Sequence, residues 1–287
     1  MSGANMSEVE NSLLGKSTLY DSPYDPALLF PIERDNNRAS LAMDASGSLP
    51  FVGEDWWTCF ELSWLEPGGK PRAGIAHFRI PCTSPNMIES KSFKLYLNSL
   101  NHHCFENLEA LNETLKTDLS AVAGANIDIE VVDLSSVNFG LMGAAVNAVC
   151  IDDIKADDFE YRPNPSLLVC EDQGSHDGVV KERLYSDLLR SNCPVTGQPD
   201  WGSVIIDYRG KKIDRESLLR YIVSFRQCQD FHEHCVERMF LDILAQCGCE
   251  SLSVYARYTR RGGLDINPYR ATKNLSAVAP NLRMVRQ

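Results

Sequence analysis

The chain has 287 residues, enough to bury a sizeable core in one large or two modest domains. It is 44% hydrophobic and 23% charged, an ordinary globular composition. A formal net charge of -11 argues against sequence-independent nucleic-acid binding and against docking on anionic lipid, because both need a basic surface.

In chain order, residues 1–50 are polar, with Pro, Asn, Asp and Ser at short intervals, and read as an irregular arm. The opening MSGANMSEVENSLLG lacks a basic stretch followed by an apolar core, so it does not read as a signal peptide. Residues 51–155 form a first module. Thr58 to Ile80 reads as two strands around the Pro67-Gly68-Gly69 turn. Helices follow at Glu89 to about Asn101 and about Phe105 to Ala123, then an alternating strand at Ile127 to Leu134. The longest apolar run, Leu141 to Ile151, is too short to span a bilayer. The link between halves falls in Ile151 to Ser175.

Residues 156–287 form a second module with the same grammar. Gly202 to Lys212 is a strand, Asp214 to Arg226 and Phe231 to Gln246 are helices, and Ser251 to Thr259 is a strand. Asp214 suits a helix cap, and Val236, Met239, Phe240, Ile243 and Leu244 line one helical face. Glu89 to Leu100 aligns without gaps on Asp214 to Phe225, with Ser92/Ser217, Tyr96/Tyr221 and Ser99/Ser224 identical, which marks an internal repeat. The fold class is therefore α+β, two modules whose antiparallel sheets are each backed by two helices. Ten cysteines without a CxxC pair read as free thiols in a soluble, cytoplasmic protein. Cys247 and Cys249 flank Gly248 at a helix C-terminus.

Four stretches carry candidate chemistry. In SNCPVTGQPDWG, Pro194 biases Cys193 to extended backbone, and Gly197 and Pro199 shape a loop that displays it. Asp200, seven residues on, would raise a neighbouring thiol's pKa as a fixed anion, so it helps only as a base or acid. The plain alternative is an inert buried cysteine. In FHEHC, His232 and Glu233 fall in a first helical turn, where a Glu can accept from a purine-like edge, or simply cap the helix. Cys228, His232 and Cys235 at i, i+4 and i+7 suit zinc, against which Gln229-Asp230 reads as a break. Glu89 and Lys91 open another helix, as a cap or as ligand-holding residues. Arg257 to Lys273 gathers five basic residues around Gly262-Gly263, a phosphate cradle or a hairpin turn. No GxGxxG opens a helix, so a Rossmann site is not supported.

Taken in order, ESKSFKLYL, SNCPVTGQPDWG, DFHEHC and RRGGLDINPYR resemble the NADPH-dependent 7-cyano-7-deazaguanine reductases, the QueF family of queuosine biosynthesis, in its long form with two tunnel-fold (T-fold) halves. The resemblance covers roughly residues 50–287. It implies that Cys193 attacks a nitrile to form a thioimide, that Asp200 moves protons, and that hydrides from two NADPH complete the reduction. It assigns Ile88, Glu89, Ser90, His232 and Glu233 to 7-cyano-7-deazaguanine, and Ser90, Lys91, Arg261 and Gly262 to NADPH. It implies no metal, no direct nucleic-acid partner and a homodimer. Because the first half has FEN and no counterpart of Cys193, and the second has DRES for ESKS, a working site is expected to combine both halves. Two other functions fit the fold: a zinc hydrolase like the GTP cyclohydrolases, and a non-catalytic T-fold protein that binds a pterin or purine.

Overall fold

The computed structural model describes residues 23–41, 48–134, 147–171, 178–280, 284 and 286. The chain divides into two compact units: the described residues of Met1–Ser40, Asp55–Leu141 and Arg260–Ile266, and those of Leu41–Glu54, Met142–Thr259 and Asn267–Gln287. Both are α+β, as the sequence pattern requires.

The first unit is built from β1 (Pro31–Glu33), α1 (Arg34–Arg38), β2 (Val52–Leu65), β3 (Pro71–Pro81), β4 (Asn86–Ile88), α2 (Ser90–Ser99), α3 (Leu108–Ala123) and β5 (Asp128–Asp133). Its strands run in the order β5-β3-β2. The Pro-Gly-Gly turn joins β2 to β3, closed by Glu66 N–H donating to Lys70 O at 2.9 Å. Strand alternation turns Ala76, Phe78 and Ile80 inward, and helical spacing turns Leu111, Leu115, Leu119 and Ala123 of α3 onto the same core.

The arm is not irregular throughout. Asp25 caps a 3-10 turn at Pro26–Leu28, and β1 pairs with β4 through Pro31 and Ile88. Arg34, 2% exposed, meets the fully buried Asp55 at 2.6 Å. A buried ion pair that links residues 21 apart orders the backbone on both sides. Residues 1–22 and 42–47 of the expected arm lie outside the described residues.

The second unit holds β6 (Val149–Cys150), β7 (Val179–Ser186), β8 (Arg190–Asn192), β9 (Pro199–Lys211), α4 (Arg215–Ser224), α5 (His232–Cys247), β10 (Ser251–Tyr258) and β11 (Leu264–Ala271). The order is β11-β10-β9-β7-β6, with β8 also on β9; β6 joins β7 in parallel, and the pairs β10/β11, β10/β9, β7/β9 and β8/β9 are antiparallel. Val236, Met239, Phe240 and Ile243 of α5 are fully buried, and the helix ends on Gly248, whose N–H donates to Leu244 O. Strand β7 has no counterpart in the sequence reading. Lys181, Glu182 and Arg183 interrupt its apolar pattern, yet it pairs with β9 along its whole length.

The repeat extends to individual atoms. Glu89 caps α2 and Asp214 caps α4. Ser92 Oγ donates to Glu89 O at 2.7 Å, and Ser217 Oγ to Asp214 O at 2.8 Å. Tyr96 OH donates to Asp118 at 2.7 Å, and Tyr221 OH to Asp242 at 2.7 Å. It also reaches a pair that the sequence alignment missed: Asp25-Pro26 to Phe30 corresponds to Asn164-Pro165 to Val169. Phe30 N–H donates to Ser92 Oγ and Val169 N–H to Ser217 Oγ.

Candidate active site

SNCPVTGQPDWG is a β-hairpin, where the sequence suggested an irregular loop. β8 and β9 pair with Ser191 opposite Asp200 and Asn192 opposite Pro199. Pro199 is tolerated because it opens its strand. The six-residue loop between them is closed by Cys193 N–H to Gln198 O at 2.9 Å and Gly197 N–H to Cys193 O at 3.0 Å. The pleat gives Ser191 and Asp200 one face, and Cys193, two residues past Ser191, follows the same alternation.

Asn192 ties this hairpin to the next motif. Its N–H donates to Cys228 O at 2.8 Å, and its carbonyl accepts from Asp230 N–H at 3.1 Å. Asp230 precedes Phe231, and α5 begins at His232. The backbone therefore holds Cys193 beside the FHE segment. His232 Nε2 lies 3.3 Å from Asp200 Oδ2, and both side chains are buried. His232 Nδ1 is buried and has no hydrogen-bond partner among the described residues, an atom poised for a ligand. Glu233, 4% exposed, occupies the same first turn. The corresponding helix of the first unit is sealed by its own cap, Asn107 accepting from Ala110 N–H, whereas Phe231 provides no side-chain cap to α5.

The zinc register is broken. Cys228 lies outside α5, after a 3-10 turn at Phe225–Gln227. Its thiol meets that of Cys235, and this contact together with burial pushes the Cys235 thiol well up from its ordinary pKa. Among the described residues no group of three His, Cys, Asp or Glu side chains stands as metal ligands would.

In the first unit, Ile88 ends β4 and is buried. Glu89 accepts from Lys91 N–H at 2.8 Å and Ser92 N–H at 2.7 Å. Burial raises its pKa against these bonds. Ser90 and Lys91 form the first turn of α2. Arg261 and Leu264 exchange backbone hydrogen bonds around Gly262 and Gly263, whose φ values of 56° and 78° make a two-residue turn of the left-handed kind. A Cβ on Gly263 would meet the Glu61 side chain and sit on a left-handed backbone, so a residue other than glycine there is strained. Of the five basic residues here, Arg270 pairs with Glu237 in the core and Arg257 is buried beside Tyr255. Arg260, over Phe60, and Gly262 are exposed, and Arg261 is half-buried. An exposed glycine turn flanked by guanidinium groups has the chemistry of a phosphate cradle.

Tyr258 is a residue that the sequence reading missed. Its ring stacks on His232 with centroids 3.7 Å apart and planes 7° apart. An aromatic ending a strand carries no sequence signal that separates it from core.

Residues 20–131 match a family described as nitrile reductase, 7-cyano-7-deazaguanine-reductase N-terminal, and residues 199–277 match QueF-like protein. An NADPH-dependent 7-cyano-7-deazaguanine reductase of Bordetella avium (strain 197N) is 53% identical over 274 residues, covering 96% of this chain and 97% of the relative. The crystal structure of an archaeosine synthase QueF-Like in the apo form is 17% identical, with a TM-score of 0.30, covering 36% of this chain and 100% of its own. With both family matches and a relative 53% identical over nearly the full length, this chain belongs to the QueF family of NADPH-dependent 7-cyano-7-deazaguanine reductases.

Proposed function

We propose that Cys193, Asp200, His232 and Glu233 carry the chemistry of this NADPH-dependent nitrile reductase, which converts 7-cyano-7-deazaguanine to 7-aminomethyl-7-deazaguanine for queuosine biosynthesis. The carrying observation is the Asn192 link, which fixes the Cys193 hairpin to the segment where His232 stands 3.3 Å from Asp200.

Asp200 takes the Cys193 thiol proton. The sulfur then bonds to the nitrile carbon, one π pair of the triple bond moves to nitrogen, and nitrogen takes a proton to give the thioimide. NADPH, when bound, supplies two hydrides, so one nitrile, two NADPH and two protons give one amine and two NADP+. After the first reduction the carbon–sulfur bond breaks and returns the thiolate. The second reduction acts on the imine. Glu233 accepts from the deazaguanine edge, and His232 Nδ1 is the buried atom left for the same ligand. Ile88, Glu89 and Ser90 complete the substrate set. Ser90, Lys91, Arg261 and Gly262 hold the cofactor, whose 2'-phosphate calls for cations. The enzyme works as a cytoplasmic homodimer and takes no nucleic acid directly.

Intact-protein mass spectrometry after mixing with 7-cyano-7-deazaguanine, without NADPH, tests this. The expected result is a gain of one nitrile molecule per chain, absent from Cys193→Ala and discharged by NADPH; the native mass reports two chains. A folded protein that forms no adduct overturns the assignment.

A further inference from the structure

We infer that Tyr258 is a positioning residue for the nitrile reduction, holding the His232 imidazole edge-on to Asp200 by ring stacking, with Gly202 providing the space for it. The inference rests on the role given above to His232 and Asp200. It concerns how the ring is held.

Two contacts of the imidazole are described, Asp200 at Nε2 and the face of Tyr258. An ion-pair distance to one oxygen leaves the ring free to rotate about that contact; a flat neighbour removes this freedom. With the planes only 7° apart, the phenol ring fixes the imidazole plane, so Nε2 stays toward Asp200 and the unpartnered Nδ1 keeps one direction.

Tyr258 is itself held from several sides. It closes β10 opposite Gly202 on β9. Its N–H donates to the fully buried Asn267 side chain at 3.0 Å, and its hydroxyl lies beside Ser191, across the strand pair from Asp200. A Cβ on Gly202 would meet Tyr258 Cδ1 at 3.1 Å and Cε1 at 3.3 Å. The glycine therefore lets the ring lie flat against β9 on one side and take His232 on the other.

The experiment measures the rate of Cys193 adduct formation at saturating nitrile. Tyr258→Leu should slow it by about 10-fold or more, because the misplaced imidazole no longer meets Asp200. Tyr258→Phe keeps the face and should recover the rate to within about threefold of the parent. In a His232→Ala background, Tyr258→Leu should cost less than about twofold more, since residues acting through one another are not additive. A folded Tyr258→Leu that reacts at the parent rate, or that loses the same factor without His232, overturns the inference. If Tyr258→Leu does not fold, Gly202→Ala serves: its methyl displaces the ring and should slow adduct formation severalfold, again only when His232 is present, and an unchanged rate overturns the inference. Parent-like adduct formation by His232→Ala alone would instead remove the underlying role of His232.

Discussion

Asp200, the base proposed above, owes its place to a strand register. Opposite Ser191 on the hairpin and 3.3 Å from His232, it is 4% exposed, which keeps its oxygens largely out of bulk water. Asp200→Asn preserves volume but cannot accept the proton. Nitrile docking should persist while adduct formation slows by about 100-fold, the lower range for a positioned base. Stopped-flow fluorescence for binding, with mass spectrometry for the adduct, separates the two, and normal turnover would end the assignment. The roles proposed for Cys193 and Asp200 came from the family resemblance, while Pro194, Gly197 and Pro199 made the stretch legible as a shaped turn. The hairpin was not, since β8 is three polar residues whose pairing depends on Asn192 reaching Cys228 and Asp230, a contact 36 residues distant in one case. Glu89 was read both as cap and as ligand-holding residue. Its oxygens do cap α2, and burial holds its pKa up; the ligand role proposed for it rests on the family resemblance.

The two helix pairs share a skeleton but differ in how their buried carboxylate is satisfied. Asp242 receives one tyrosine hydroxyl, from Tyr221, while Asp118 receives Tyr96 and also Tyr24, at 2.6 Å. Burial raises the Asp242 carboxyl, which the Tyr221 bond and the charge of Arg238 partly offset. Removing the hydroxyl leaves a desolvated carboxyl short of a donor. Tyr221→Phe should cost about 1–3 kcal/mol, and Tyr96→Phe distinctly less because Tyr24 remains. Urea unfolding of both variants decides it; equal losses would mean that the second donor contributes nothing. Tyr96/Tyr221 and the serines were legible as a repeat because they fall in helices with fixed spacing. The pair Asp25-Pro26 to Phe30 and Asn164-Pro165 to Val169 was not. It sits 62 residues before its serine in one copy and 48 in the other, and only the shared hydrogen bond reveals the match.

The chain does not divide into its compact units at one point. The expected modules, 51–155 and 156–287, follow sequence order, whereas the second unit also takes residues 41–54 and cedes Arg260–Ile266 to the first. Sequence pattern shows periodicity, but not which core a strand's end enters. What the segment 48–54 supplies is specific. Phe51, 1% exposed, packs edge-on to Phe240 at 5.6 Å, and the Arg270 guanidinium lies 5.5 Å over the same ring. Glu54 accepts Arg270 through its carbonyl at 3.2 Å and Ala279 N–H through its carboxylate at 2.8 Å. Without these groups the Arg270–Glu237 pair, both partners at 2% exposure or less, loses its cover and stands as a buried ion pair short of hydrogen bonds. Loss of one core phenylalanine costs about 3–5 kcal/mol, and exposing the ion pair adds to it. Set against the roughly 5–15 kcal/mol that holds a whole domain, this is a large share of what holds the unit together. Residues 156–287 alone should therefore melt broadly, without a calorimetric peak, and a covalently joined 48–54 segment should restore part of the cooperativity. A sharp transition in the isolated fragment would show instead that this unit is complete without the 48–54 segment.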